Sequence, residues 1–307
     1  MKKFIIIIAA IVGGFSMMAQ QDAMYTHYSF NTLAINPAYA GSRDALTVTA
    51  LHRSQWVGFE GAPTSQTVTL HSPVFTQKIG MGLSILNDHI GPINTTSIYG
   101  DFAYKFPLGE KGKLAFGLKA GINLMQGSLS TLELDDDIAD EAFQSNIETD
   151  LLPNFGFGIY YSTEKWYMGV STPKLMENDF ETNQTIGSEK RHYFFIAGMV
   201  MNLKKDGSLK LKPTTLFKAT EGAPLAGEFT GMFIFQDKLE AGLMYRTNAA
   251  AGLLLGYNIT NQLRFGYSFD WSFTNATSKY NSGSHEIMLR YDFIYKNKSK
   301  VKSPRYF

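Results

Sequence analysis

Residues 115–124 read Ala-Phe-Gly-Leu-Lys-Ala-Gly-Ile-Asn-Leu. Phe116, Leu118, Ala120, Ile122 and Leu124 fall on one face of an extended chain. Ala115, Gly117, Lys119, Gly121 and Asn123 fall on the other. A period of two with one apolar face is the pattern of a strand whose two faces meet different surroundings. Leu263 to Trp271 repeats it, with Leu263, Phe265, Tyr267, Phe269 and Trp271 against Arg264, Gly266, Ser268 and Asp270. Leu253, Leu255, Tyr257 and Ile259 likewise alternate with Gly252, Leu254, Gly256 and Asn258.

Carried along the chain, this pattern predicts about fourteen strands between residues 43 and 295. Their connections sort by parity. The even ones are short, such as 72–77, 107–112, 162–164 and 236–237. The odd ones are mostly longer: 54–63, 87–96, 126–153, 172–189, 219–225 and 272–283, with 247–249 breaking the trend. Short turns at one end and long loops at the other are the habit of outer-membrane barrels, and an even strand count fits it. Composition agrees. Charged residues are 18% of the chain and aromatics 14%, with 28 Gly, against roughly 25% charged in soluble domains. No apolar run after residue 20 is long enough for a membrane helix. The expected fold is all-β, a transmembrane outer-membrane barrel of about 14 antiparallel strands with an N-terminal plug-like segment.

Lys2 and Lys3 precede an apolar core over 4–15, and small or polar residues follow at Ser16, Ala19 and Gln20. This reads as a secretion signal with cleavage after Ala19; the alternative is an uncleaved anchor. The expected organisation is a signal peptide over 1–19, a periplasmic or plug segment over 20–42, the barrel over 43–295 and a basic tail over 296–307, the last read as a solvated end. The formal charge of +1 gives no electrostatic case for nucleic acid. The chain has no Cys, so no disulfide or lipid-linked cysteine is expected.

Tyr28–Ser29–Phe30–Asn31, Asn36–Pro37–Ala38–Tyr39–Ala40–Gly41–Ser42, Arg53–Ser54–Gln55–Trp56–Val57–Gly58–Phe59–Glu60–Gly61–Ala62–Pro63, Asn87–Asp88, Gly91–Pro92 and Leu114 to Gly121 follow one another in order. Together they resemble the PorP/SprF family of type IX secretion membrane proteins over about residues 25–125. Asn31–Thr32 stands where Asn–Pro is expected. Residues 126–250 resemble the family only in general pattern, and His285–Glu286–Ile287 is similar to its ending. The resemblance implies an outer-membrane location and a role in export or surface retention of large secreted proteins, including gliding adhesins. The partners so implied are the lipid bilayer, a type IX substrate or its C-terminal domain, and other secretion-system components. The Asn36–Pro37–Ala38 element is also similar, more distantly, to the N-terminal hatch of FadL-type barrels, which leaves a transporter of hydrophobic solutes as the alternative.

Candidate sites follow from the same reading. Asn36, Pro37, Ala38, Tyr39 and Gly41 mark the segment expected to enter the barrel mouth or interior; a flexible leader is the other possibility. Alternation turns Asp101, Lys105, Lys119, Lys210, Lys212, Lys218, Glu240, Arg246, Arg264, Asp270, Glu286, Arg290 and Asp292 inward. These charges either pair to stiffen a closed interior or line a conduit. Trp56, Phe59 and Glu60 occupy a Gly-rich loop that either binds a partner or folds in on its own aromatics. The acidic loop 126–153 is either a solvated surface or a cation site without EF-hand spacing. No catalytic, cofactor or metal-ligand pattern stands out among the six His, and no nucleophile elbow or phosphate loop exists. Ser284–His285 is the weak hint of a hydrolase, and it lacks an evident third partner.

Overall fold

The computed structural model describes residues 24–131, 146–181, 185–273, 281–294 and 306–307. A four-residue helix α1 (Thr32–Ile35) and a 3₁₀ turn at Pro37–Tyr39 come first. The strands are β1 (Leu46–Ser54), β2 (Thr64–Pro73), β3 (Ile79–Ile90), β4 (Ile93–Leu108), β5 (Gly112–Gly127), β6 (Ile147–Ser162), β7 (Trp166–Thr172), β8 (Asn178–Glu181), β9 (Thr185–Glu189), β10 (His192–Met199), β11 (Met201–Asn202), β12 (Leu209–Thr220), β13 (Ala226–Phe235), β14 (Leu239–Arg246), β15 (Ala250–Asn258), β16 (Leu263–Ser272) and β17 (Ser284–Phe293).

Fourteen of these close an antiparallel barrel. Each pairs with its neighbour in sequence, and β1 seals the wall against β17, Leu46 facing Phe293 and Ser54 facing His285. The short β11 continues β10 along the same partner, since Gly198 faces Thr214 and Met201 faces Leu211. The break between them lies beside Pro213, which has no N–H to give to the ladder. β8 and β9 form a separate two-stranded hairpin between β7 and β10.

The alternation read from residues 115–124 is the alternation of the wall. Leu118 is 58% exposed and its neighbour Lys119 is 3% exposed. The exterior carries a band of apolar side chains such as Val68, Leu83, Phe102, Leu243 and Leu253, all exposed. A belt of this extent is far beyond what a soluble monomer leaves in water and is at home in lipid. No helix among the described residues is long and apolar enough to cross a membrane.

The loop-length rule takes a different form in the structure. Residues 87–96, expected to be a loop, continue β3 and β4 as a hairpin whose only turn is Gly91–Pro92. Its polar pairs bond across the strands: Asn87 Nδ2 donates to Asn94 Oδ1 and to Thr96 Oγ1, both at 2.9 Å. β6 likewise begins at Ile147 rather than near 154. One end of the barrel thus carries tall hairpins and long loops, the other only tight turns.

Candidate functional site

Residues 24–42 are almost all buried and pack against inward-facing residues of the wall. Tyr28, Leu33, Ala38, Tyr39 and Ala40 form an apolar cluster with Leu51, Ala103, Ala115, Tyr160, Tyr167 and Ile196 of the wall. The backbone comes so near the wall that inward side chains must vanish. A Cβ on Gly117 would lie 2.1 Å from the Ala38 nitrogen, and one on Gly158 would lie 2.1 Å from Asn36 Oδ1. Asn36 is fully buried. Its side-chain oxygen accepts the Ala38 N–H at 3.0 Å, and its Nδ2 donates to the Ile159 carbonyl at 3.1 Å. Pro37 begins the 3₁₀ turn, where a missing N–H costs nothing. Tyr39 meets His71 and Tyr160 edge-on. The Gly41 N–H donates to His71 Nδ1 at 3.1 Å, and Lys105 Nζ donates to the Gly41 carbonyl at 2.5 Å.

The charged side chains pair. Lys119 lies directly across from Asp101 in register, with Nζ 2.8 Å from Oδ1. Arg246 Nε donates to Glu228 Oε2 at 2.7 Å, and Arg264 is ion-paired with Glu240. Asp270 receives Arg53 Nη2 at 2.8 Å and the Thr26 hydroxyl at 2.6 Å. Glu286 receives the main-chain N–H groups of Thr26 and His27 at 2.9 and 2.7 Å, and Arg53 Nη1 at 3.3 Å. Buried ions survive in a low-dielectric interior when their partners and hydrogen bonds are in place, and removing one partner costs several kcal/mol. Arg290 differs. It is 4% exposed, and its Nε and Nη1 have no hydrogen-bond partner. It faces Arg264 across the β16–β17 ladder, and the Phe30 ring stands by both, 4.0 Å from Arg264 Cζ and 5.6 Å from Arg290 Cζ. Lys212 Nζ is 4.3 Å from the same ring. Attraction to the aromatic face offsets part of the cost of burying these cations.

Sequence reading did not find Arg43, Arg53, His27 and Glu228. Arg53 appears in the sequence reading only as the start of the motif Arg53–Pro63, with no face assigned, yet it shares the inward parity of Thr47, Thr49 and Leu51 on β1. Arg43 holds Asp292 through Nε at 3.1 Å and Nη2 at 2.9 Å. Burial works against its charge, but Asp292 and Tyr39 together outweigh burial and keep the guanidinium above its ordinary range.

At the other end, Trp56 is half-buried and Phe59 and Glu60 are exposed. Trp56 takes a φ of +49°, uncommon without glycine. Its N–H donates to Ser284 Oγ at 3.2 Å and its indole N–H to Ser272 Oγ at 3.3 Å. The loop is thus pinned to the last hairpin while Phe59 stays in solvent. Asp135, Asp136 and Asp137 of the acidic loop lie outside the described residues, as do residues 1–19. Among the described residues no three metal-ligating side chains converge. A cavity of about 170 Å³ opens at the long-loop end, lined largely by apolar side chains including Tyr25, Ile35, Leu86, Ile93 and Met125.

These features define a membrane-spanning β-barrel with a polar, internally paired interior into which its own N-terminal segment packs. The family model for the type IX secretion system membrane protein PorP/SprF matches residues 17–291, and the chain belongs to that family. Nothing matches among curated protein sequences. Three solved barrels are similar at low identity. The outer membrane protein Omp33 of Acinetobacter baumannii is 11% identical, with 82% of this chain and 100% of that chain covered, at a TM-score of 0.46. The CymD monoaromatic hydrocarbon channel is 11% identical, with 86% and 93% covered, at 0.49. A Pseudomonas aeruginosa FadL homologue is 12% identical, with 84% and 93% covered, at 0.48.

Proposed function

We propose that this chain is a non-enzymatic outer-membrane component of the type IX secretion system that supports export or surface anchoring of large secreted proteins such as gliding adhesins. In this reading a signal peptide over 1–19 is removed, the tight turns face the periplasm, and the segment ending at Ser42 is a plug. The observation that carries it is the packing of Tyr28, Leu33, Ala38 and Tyr39 against the inner wall in a barrel of this family. A filled barrel is poorly suited to threading a large client through its bore. The client, or its C-terminal domain, is then held at the long-loop rim, with Trp56, Phe59 and Glu60 as contact candidates. Other secretion-system components would meet the periplasmic face.

The test is deletion of the chain in its native cell. The expected result is loss of a large surface protein with solute uptake unchanged; retained surface display with lost uptake of hydrophobic solutes would overturn the proposal. The apolar cavity at the long-loop end favours one second reading, a transporter of hydrophobic solutes. Single-channel conductance that persists with residues 24–42 in place would support it.

A further inference from the structure

The tight-turn mouth holds two residues from the far end of the sequence. Tyr306 and Phe307 are half-buried there. Two of the side chains that meet them, Lys210 and Arg43, are also bound to carboxylates of their own. Lys210 is ion-paired with Asp237 at 2.5 Å, and together they bracket the Tyr306 hydroxyl, Lys210 donating to it and the hydroxyl donating to Asp237 Oδ1 at 3.1 Å. Arg43 spends Nε and Nη2 on Asp292 and keeps Nη1 for the Phe307 carbonyl, at 2.7 Å. The Phe307 ring meets Tyr167 edge-on at 4.8 Å.

Lys212 is the most telling member. It is 1% exposed and makes no ion pair among the described residues, the Glu240 carboxylate acting on its charge only at longer range. Its one hydrogen bond runs to the Tyr306 carbonyl at 2.6 Å, and it lies between two rings, 4.3 Å from Phe30 and 5.4 Å from Phe307. A buried ammonium needs acceptors. Among the described residues, one of its two ring contacts and its hydrogen-bond acceptor come from Phe307 and Tyr306. Beside Tyr306 a cavity of about 250 Å³ is lined by Arg290, whose Nε and Nη1 have no hydrogen-bond partner among the described residues.

We infer that the tight-turn mouth is a peptide-recognition site for two consecutive aromatic residues, and that Tyr306–Phe307 of this chain is its resident, displaceable occupant. Lys210 and Arg43 are held by Asp237 and Asp292 independently of Tyr306 and Phe307, which reduces the ordering cost of binding. Specificity comes from the hydroxyl bracket for the first ring, the edge-on slot against Tyr167 for the second, and two cations reading main-chain carbonyls. Another chain that presents an aromatic pair would compete for the same groups.

The experiment uses the full-length barrel in detergent with Tyr306→Ala and Phe307→Ala, which vacates the site, beside the unaltered chain. Retained heat-modifiable mobility reports that both are folded. The probe is a fluorescent peptide of sequence Lys-Ser-Pro-Arg-Tyr-Phe. Saturable binding to the vacated barrel, at least about tenfold tighter than to the unaltered chain, is expected, as is a loss of about tenfold or more when the peptide ends in Ala-Phe or Tyr-Ala. Lys212→Met in the vacated barrel should weaken binding comparably. Equal binding to vacated and unaltered barrels, or binding indifferent to both aromatic residues, would overturn the inference. The peptide variants keep it testable even if Lys212→Met does not fold.

Discussion

His27 meets Glu286 twice: its main-chain N–H and its Nδ1 both lie 2.7 Å from Oε1 of that carboxylate. The two residues are 259 positions apart in sequence, one on the buried N-terminal segment and the other on the strand that seals the barrel. Glu286 also carries the Thr26 N–H and Arg53, so one carboxylate joins segment, first strand and last strand. Glu286→Ala should leave Arg53 short of a counter-charge and strip the Thr26 and His27 N–H groups of their acceptor. The expected cost is about 3–5 kcal/mol, read as a lowered midpoint in heat-modifiability together with new protease cuts near residue 26. Glu286→Gln keeps an acceptor and should fall in between. An unchanged midpoint for Glu286→Ala would show that this junction is not a support.

The facing of the wall can be read chemically. Cysteines at Phe116, Leu118 and Phe265 should react with a lipid-phase probe, since these side chains are exposed on the barrel exterior. Cysteines at Lys119 and Asp270, 3% and 1% exposed, should stay unlabelled in intact membranes. Similar labelling of both sets would rule out this face assignment.

Gly117 tests the fit of the N-terminal segment. A side chain there must enter the space of the Ala38 backbone, which cannot yield as a flexible side chain would. Gly117→Val should destabilise by about 1–3 kcal/mol through overpacking, and residues 24–42 should become sensitive to protease while the wall remains folded. Gly231→Ala is the control, because a Cβ there meets nothing within 4 Å; its effect should stay within about 0.5 kcal/mol. Equal behaviour of the two variants would count against close packing at Ala38.

The barrel was legible because its wall has only two environments. In Phe116–Gly117–Leu118–Lys119 every step changes face, and the chemistry changes with it. The signal fades in the Asn87–Thr96 hairpin, where polar residues and the Gly91–Pro92 turn outnumber Ile90 and Ile93 and break the alternation, so its residues read as a loop although they pair across β3 and β4. The inward charges were legible as a set, from parity, but their partners were not. Nothing in the order of residues says that Arg53 meets Asp270 and Glu286, because closure of the barrel brings β1 beside β17. Tyr306 and Phe307 escaped for a related reason. They follow a run of lysines that looks solvated, and their ring and carbonyl contacts come from β7, β12 and the segment before β1.

Client retention at the rim should depend on aromatic contact rather than on acidic charge. Trp56 is pinned by Ser272 and Ser284, which fixes the base of the loop, while Phe59 is 41% exposed at its tip. An exposed aromatic on a loop anchored at both ends is pre-ordered for binding, and aromatic anchors dominate interface energies over rim charges. Because Trp56 also bonds to the wall, its loss could unseat the barrel itself, so Phe59→Ala is the cleaner variant. Phe59→Ala should leave heat-modifiability unchanged and lower surface-displayed client severalfold, and Trp56→Ala with Phe59→Ala should lower it further. The triple change Asp135→Asn, Asp136→Asn and Asp137→Asn should leave client display within about twofold of the parent if aromatic contact carries retention. Loss of the barrel in Phe59→Ala would make the motif structural. Client lost only in the acidic variant would move the contact to charge, or to a bound cation, on the acidic segment over 126–153.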